Sequence, residues 1–382
     1  MSNIRKVLLV STLLRGKGGM ETVVRTFISE LDQRGIHVKL VLLGKYKPKK
    51  HDLTWLHGID YELLLPDFPL KGFIRDFFEV KKLSKLIKDE KPDAFIGLNN
   101  GAISHLWKAR NQTFPFHIFS WVHFALKILH NPSILKKADY HLSISSGITH
   151  DLVTHLGIEK NKIFTVYNPI DSIKGFNNGL IERPNDGLTS FLFVGRLTEQ
   201  KDPTLLIRAV SRLKGDWKLH IVGEGHLKSK LEALVRSFHI EENVIFHGWK
   251  SDAWTFIQSL TPVSALILTS KNEGFPMVLL EAMSRGIYCV ASNCETGPAD
   301  IVNKNNGQLF EVGNVDELTH KLQYLIDSKG GNLPSQISIK NSIEKFSSDR
   351  YCDVWYGWQR AYSGPSGFLP SFPIPPHGHD GC

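Results

Sequence analysis

Short apolar runs, each closed by a polar turn and followed by a stretch of helical period, repeat along the chain to about residue 345. In the first half these runs read as strands at 6–10, 37–43, 94–98, 116–121, 140–145 and 163–167. A loop rich in Gly, Asn and Pro, ending near residue 187, interrupts the rhythm. It then restarts, with strands at 191–194, 218–222, 244–247, 265–268, 288–291 and around 308–311. Runs that are apolar throughout, rather than alternating, mark parallel strands covered by helices on both faces. The chain is therefore predicted to be α/β, with one parallel sheet in each half. The first domain is placed at 1–168 and the second at 169–345. A helix follows at 346–363, and a Pro/Gly-rich tail without period, expected to be disordered, at 364–382.

The stretch around 265–298 carries the most chemistry. Its strand ends at Thr269-Ser270, a polar turn holds Glu273, Gly274, Phe275 and Pro276, and a helical stripe starts at Met277. In an open parallel sheet, anions bind where a helix begins at the carboxyl end of a strand. Glu273 and Glu281 frame this turn. Either one alone reads as a helix cap or dipole partner. As a pair they suit vicinal hydroxyls, because a carboxylate accepts two hydrogen bonds at once.

Other strand ends add to this. Gly16, Gly18 and Gly19 follow the first strand with Arg15 and Lys17 among them, a loop whose amides could cradle a phosphate. It falls short of the dinucleotide fingerprint, which argues against a nicotinamide oxidoreductase. The strand at 191–194 runs into Arg196 and then Lys201, two cations able to neutralise a departing diphosphate without a metal. His123 closes another strand; a lone histidine there is more often structural. Gly223 and Gly225, and His247 with Trp249, end two more, with Trp249 read either as core or as ligand-facing. Gly297-Pro298 and Asn306-Gly307 read as structural turns.

The pair written EGFPMVLLE resembles the E-x7-E signature of retaining glycosyltransferases of the two-Rossmann-domain (GT-B) type. GGMETV, IFSWVHF, ADYHLSISSGI, VYNP, GRL, LHIVGEG and GW follow that family's order over about residues 3–360. The resemblance implies two Rossmann-like domains facing each other across a cleft, with the helix at 346–363 crossing back to the first. It implies that Glu273 holds hydroxyls of the donor sugar, Glu281 the nucleotide ribose, and Arg196 and Lys201 the diphosphate. Gly18 and Gly19 would close over that diphosphate, and His123 would reach the donor sugar from the N-terminal domain. Gly223, Gly225 and Trp249 would border the base, and Gly274, Phe275, Pro276 and Met277 would form the donor-binding turn. The implied reaction moves galactose from UDP-galactose onto a glucose of a lipid-linked lipopolysaccharide core, α-1,6 and with retention. UDP-glucose or UDP-N-acetylglucosamine, used on another saccharide, is the alternative. No Asp-x-Asp occurs in the chain, so no metal and no cofactor are expected.

Charge adds a partner. The net +8 is uneven: residues 1–170 hold 25 Lys and Arg against 15 Asp and Glu, and the remainder 21 against 23. The basic half should meet an anionic membrane surface or a phosphorylated acceptor. Nucleic acid would explain the charge, but no recognition motif accompanies it. The segment 73–91 sets Phe73, Ile74, Phe77 and Phe78 beside lysines at helical spacing, with Lys45, Lys47, Lys49 and Lys50 nearby in sequence. It reads either as a surface helix with core aromatics or as one lying on a membrane. No apolar run could span a bilayer and no signal-peptide pattern is present, so a cytoplasmic protein, peripheral on the inner membrane, is expected. Cys289, Cys294, Cys352 and Cys382 lack metal-site spacing and suggest reduced thiols. A non-catalytic sugar or nucleotide binder would keep the cleft, but it would need neither both cations nor both glutamates.

Overall fold

The computed structural model describes residues 4–347 apart from 15, 17, 18, 70, 71, 171–178, 185, 186, 261 and 330. Gly18, Arg15, Lys17, Cys352, Cys382, the helix expected beyond 347 and the tail at 364–382 lie outside the described residues.

Seven strands form the first sheet: β1 Lys6–Thr12, β2 His37–Leu43, β3 Tyr61–Leu64, β4 Ala94–Gly97, β5 Ile118–Val122, β6 Tyr140–Ser143 and β7 Ile163–Thr165. Six form the second: β8 Thr189–Val194, β9 Trp217–Val222, β10 Val244–Gly248, β11 Ala265–Leu268, β12 Tyr288–Ser292 and β13 Gly307–Phe310. The first sheet runs β3-β2-β1-β4-β5-β6-β7 and the second β10-β9-β8-β11-β12-β13, with parallel pairing throughout. Each thus contains the doubly wound order 3-2-1-4-5-6. In that order the chain reverses direction between the first and fourth strands, opening a crevice at their carboxyl ends. The crevices lie between β1 and β4, and between β8 and β11.

β4, β5, β11 and β12 are buried along their whole length, which is why their sequences show unbroken apolar runs. β3 was not anticipated. It is a four-residue edge strand with only Leu64 fully buried, so it carries no apolar run to read.

The helix Gly72–Glu90 buries Val80, Leu83 and Ile87 within the first domain. Phe73 is 81% exposed, and Ile74, Phe77 and Phe78 are exposed beside it. The reading of these aromatics as core is therefore corrected: the core face is aliphatic. A buried ion pair mounts the helix. Arg75 donates to Glu79 at 2.8 Å and to the Leu65 carbonyl at 2.6 Å, while Glu79 also accepts from the Gly44 amide at the end of β2. Among the described residues, no helix is long and apolar enough to cross a membrane.

The two sheets are joined through Tyr167, just after β7. Its ring stacks on Phe275, and both meet Phe346 edge-on at 5.2–5.4 Å. The Ile170 amide donates to the Phe346 carbonyl at 2.8 Å, returning the end of the second domain to the crossover.

Candidate active site

The crevice between β8 and β11 has one loop on each side, and each contributes a charge. The loop after β8 carries Arg196 and Lys201; the loop after β11 carries Glu273. Because β8 and β11 are neighbours, Lys201 Nζ reaches Glu273 Oε1 at 2.5 Å. Ser270 Oγ, fully buried, donates to the same oxygen at 2.5 Å. Glu273 is itself buried, and its Oε2 accepts from no other described residue. The carboxylate is thus anchored by one oxygen and presents the other. Burying this pair costs desolvation, which the Ser270 hydroxyl offsets in part by hydrogen-bonding the same oxygen. Arg196 behaves differently: it is exposed, and among the described residues its guanidinium makes only a 3.3 Å contact to Gln200.

The turn Gly274-Phe275-Pro276 leads into the short helix Met277–Met283. Glu281, within that helix, accepts from Trp254 Nε1 at 2.9 Å through Oε2. Burial raises its carboxyl above the ordinary carboxylate range, only partly offset by Trp254, Arg285 and Lys201. Trp254 was missed by the sequence reading, which looked five residues earlier to Trp249. Trp249 is 65% exposed at the end of β10, so its core reading is excluded. Gly223 and Gly225 follow β9. The Gly223 amide donates to the Gly248 carbonyl at 2.9 Å, and the Glu224 carbonyl between the two glycines accepts from the Leu197 amide, tying this turn to the Arg196 loop.

Across the cleft, His123 follows β5. It is 6% exposed, stands 4.7 Å from the Trp121 ring, and its Nε2 has no hydrogen-bond partner among the described residues. Burial alone pushes its pKa down to about 3, so the ring is neutral at any working pH. The two domains touch here without any gap for a side chain: a Cβ at Gly274 would overlap the His123 carbonyl oxygen. A buried, neutral imidazole whose Nε2 has no partner among the described residues thus belongs to the residue that packs against the turn carrying Glu273.

The glycine loop after β1 is less open than expected. The Gly16 amide donates to the buried Glu21 carboxylate at 2.7 Å, so one of the candidate phosphate donors already has an internal acceptor. Gly19 opens the helix Gly19–Asp32, with open space where a Cβ would stand.

Residues 181–344 match the family model "Glycosyl transferases group 1", and residues 17–173 match "Glycosyltransferase Family 4". The chain is 34% identical to the lipopolysaccharide 1,6-galactosyltransferase of Escherichia coli K12 over 354 residues, 91% of this chain and 96% of that protein. Its counterpart in Salmonella typhimurium LT2 is 35% identical over 356 residues, covering 92% and 96%. Among solved structures, the apo form of the lipopolysaccharide outer core galactosyltransferase WaaB superposes with a TM-score of 0.84 at 34% identity, over 92% of this chain and 98% of that one. Anabaena Alr3699/HepE in complex with UDP superposes at 0.75 with 16% identity, over 93% and 99%, a likeness of fold alone.

Proposed function

The chain belongs to the group 1 glycosyl transferases with the two-domain GT-B fold, and from that membership we propose that it transfers galactose from UDP-galactose to a glucose of the lipopolysaccharide core through an α-1,6 linkage. The observation that carries the site assignment is the anchored carboxylate of Glu273, one oxygen held by Lys201 and Ser270, in a turn whose Gly274 packs on the His123 backbone.

In this reading the donor lies in the β8–β11 crevice. Glu273 Oε2 accepts from sugar hydroxyls, and His123 Nε2 pairs with another hydroxyl of the same sugar. Glu281 keeps Oε1 for the ribose while Trp254 holds Oε2. Lys201 sits between Glu273 and the diphosphate, and exposed Arg196 swings onto it; together they stabilise the leaving group as its bond to the anomeric carbon breaks. The acceptor hydroxyl attacks from the face that the diphosphate leaves, and its proton passes to the departing phosphate oxygen. Configuration is retained without a protein nucleophile, and the reaction needs no metal. Contact between the domains excludes water and limits donor hydrolysis.

The acceptor is lipid-linked, and the protein works as a peripheral protein on the cytoplasmic face of the inner membrane. Support comes from the net +10 of residues 1–170 and from the exposed Phe73, Ile74, Phe77 and Phe78 at the start of a helix. In a parallel sheet, that helix start lies at the strand ends that also carry His123.

The test is transfer from a panel of nucleotide sugars onto a truncated, glucosylated core, with and without EDTA, the linkage read by NMR. Product from UDP-galactose alone, joined α-1,6 and unaffected by EDTA, is expected. Product from UDP-glucose or UDP-N-acetylglucosamine instead would overturn the choice of sugar, and loss with EDTA would overturn the metal-free mechanism.

A further inference from the structure

The segment 292–300, running from the last residue of β12 into the short helix Pro298–Ile301, touches both domains and the turn that carries Glu273 at once. On one side it holds the turn. Ser292 Oγ and Cys294 Sγ both donate to the Ser270 carbonyl, at 2.6 and 2.9 Å, and Thr296 Oγ1 donates to the carbonyl of Glu273. All three are buried. Ser270 in turn fixes Glu273 Oε1. On the other side the segment meets the first domain. Asp300 Oδ2 accepts the Ser146 amide at 2.9 Å, and its Oδ1 accepts from Tyr167 Oη at 3.3 Å.

Ser146 opens the helix Ser146–Leu156, so a carboxylate of the second domain caps a helix of the first, where free amides and the dipole favour an anion. Ser145 Oγ already serves the Ile148 amide, which leaves Ser146 to Asp300. The fit at this point is backbone to backbone: a Cβ at Gly147 would overlap the Glu295 carbonyl oxygen. Lys127, four residues beyond His123, pairs with Glu295 at 2.7 Å, but both side chains are about half exposed or more, so this contact is the weaker one.

We propose that residues 292–300 form a strap that sets Glu273 when the two domains meet, with Asp300 and Thr296 as positioning residues for the transfer. The inference rests on the reading of Glu273 as the donor-sugar carboxylate. Asp300 senses the first domain through the Ser146 amide, and Thr296 passes its position to the backbone of Glu273. Neither needs to touch the substrate.

The test begins by fixing the donor of the wild-type enzyme, so that a wrong sugar shows there and a wrong strap shows only in the variants. Asp300→Ala and Thr296→Val are then each expected to lower kcat for transfer about 10- to 100-fold, the scale on which misplacement by an ångström acts. Calorimetric affinity for UDP should stay within about twofold, since binding to a site on the second domain does not need the cap. The fraction of donor lost to hydrolysis should rise. Asp300→Asn keeps an acceptor for the Ser146 amide and should recover most of the lost rate. The double variant should be no slower than the slower single one, because both changes cut the same link. Additive losses, an unchanged kcat in Thr296→Val, or a parallel loss of UDP affinity would each overturn the strap.

Discussion

The two sheets repeat one strand order, yet their carboxyl ends carry opposite kinds of chemistry. In the second domain the switch between β8 and β11 brings Lys201 and Glu273 together at 2.5 Å, with Ser270 completing the pair. In the first domain, β5 is followed by a buried histidine, His123, kept neutral by burial and with no Nε2 partner among the described residues. One end is charged, with one carboxylate oxygen paired and the other open; the other end is neutral, with Nε2 unpaired among the described residues. A pre-paired carboxylate costs no reorganisation when a sugar hydroxyl arrives, and an orphaned imidazole gains a hydrogen bond from the same event. In the proposed reading this divides the labour: the second domain would hold the donor, and the first would contribute a contact where Gly274 packs on His123.

Breaking the charged side should have the largest effect. Glu273→Gln keeps the shape of the side chain but removes the charge that faces Lys201. Transfer is expected to fall about 10²- to 10³-fold, the cost of removing one preorganised group from a transition state. UDP affinity, measured by calorimetry, should hold within a few-fold. A variant that retained full transfer would show that the carboxylate does not hold the sugar.

Breaking the neutral side should cost less. His123→Ala is expected to lower kcat/KM about 10- to 100-fold, the loss of one hydrogen bond in a buried site. The pH dependence sharpens the contrast. With a pKa near 3, His123 cannot supply an inflection between pH 5.5 and 8, so the profile of kcat/KM should keep its shape in the variant. An inflection near pH 6.5 that vanished with His123 would mean that the ring titrates in the working enzyme. The same depression bears on stability. Burial lowers His123 to about 3, and His141 and His220 to about 4, all below the ordinary 6.5. Between those values and 6.5 the unfolded chain takes up protons that the folded chain refuses. Stability should therefore be intact above pH 6.5 and decline as pH falls through that window, by at most about 1.4 kcal/mol per unit of depression for each ring. Thermal unfolding followed from pH 7.5 to 4.5 checks it; a midpoint that stayed level would contradict the burial of these rings.

The charged end was the legible one. Glutamates, glycine and proline at fixed spacing leave a mark in the sequence, and the apolar run of β11 says where the turn stands in the fold. The pairing of Lys201 with Glu273 left no such mark: 72 residues separate them, and only the neighbouring of β8 and β11 joins them. Asp300 and Thr296 were hidden for a related reason. A Gly-Pro turn with an acidic residue reads as local structure, while the partners that give these residues meaning, Ser146 and Glu273, sit on other elements. Trp254 hid behind the more conspicuous strand-end Trp249. β3 hid because an edge strand needs no apolar run. The aromatic stretch at 73–78 was read with two outcomes, since helical spacing alone does not tell which face of a helix meets the sheet.

That aromatic face offers the gentlest test of the comparison, because it should change where the enzyme works and not how. Phe73, Phe77 and Phe78 lie at the start of a helix whose buried side is held by Arg75 and Glu79, so replacing them removes the Phe77–Phe78 and Phe78–Phe68 ring contacts but none of the helix's buried aliphatic side chains. Burying a phenylalanine side chain away from water is worth about 1.5–3 kcal/mol, and a partly inserted ring gains some fraction of that. The triple change to serine is expected to reduce partition onto vesicles containing phosphatidylglycerol by at least about tenfold, each 1.4 kcal/mol being one decade. What remains should be electrostatic, carried by the basic half, and should fall further as salt is raised. Turnover of a soluble, delipidated acceptor should be unchanged, whereas turnover of the same acceptor in anionic vesicles should drop with the partition. Equal losses on both acceptors would place these aromatics in the fold or the cleft. Unchanged partition would mean that charge alone brings the first domain to the bilayer.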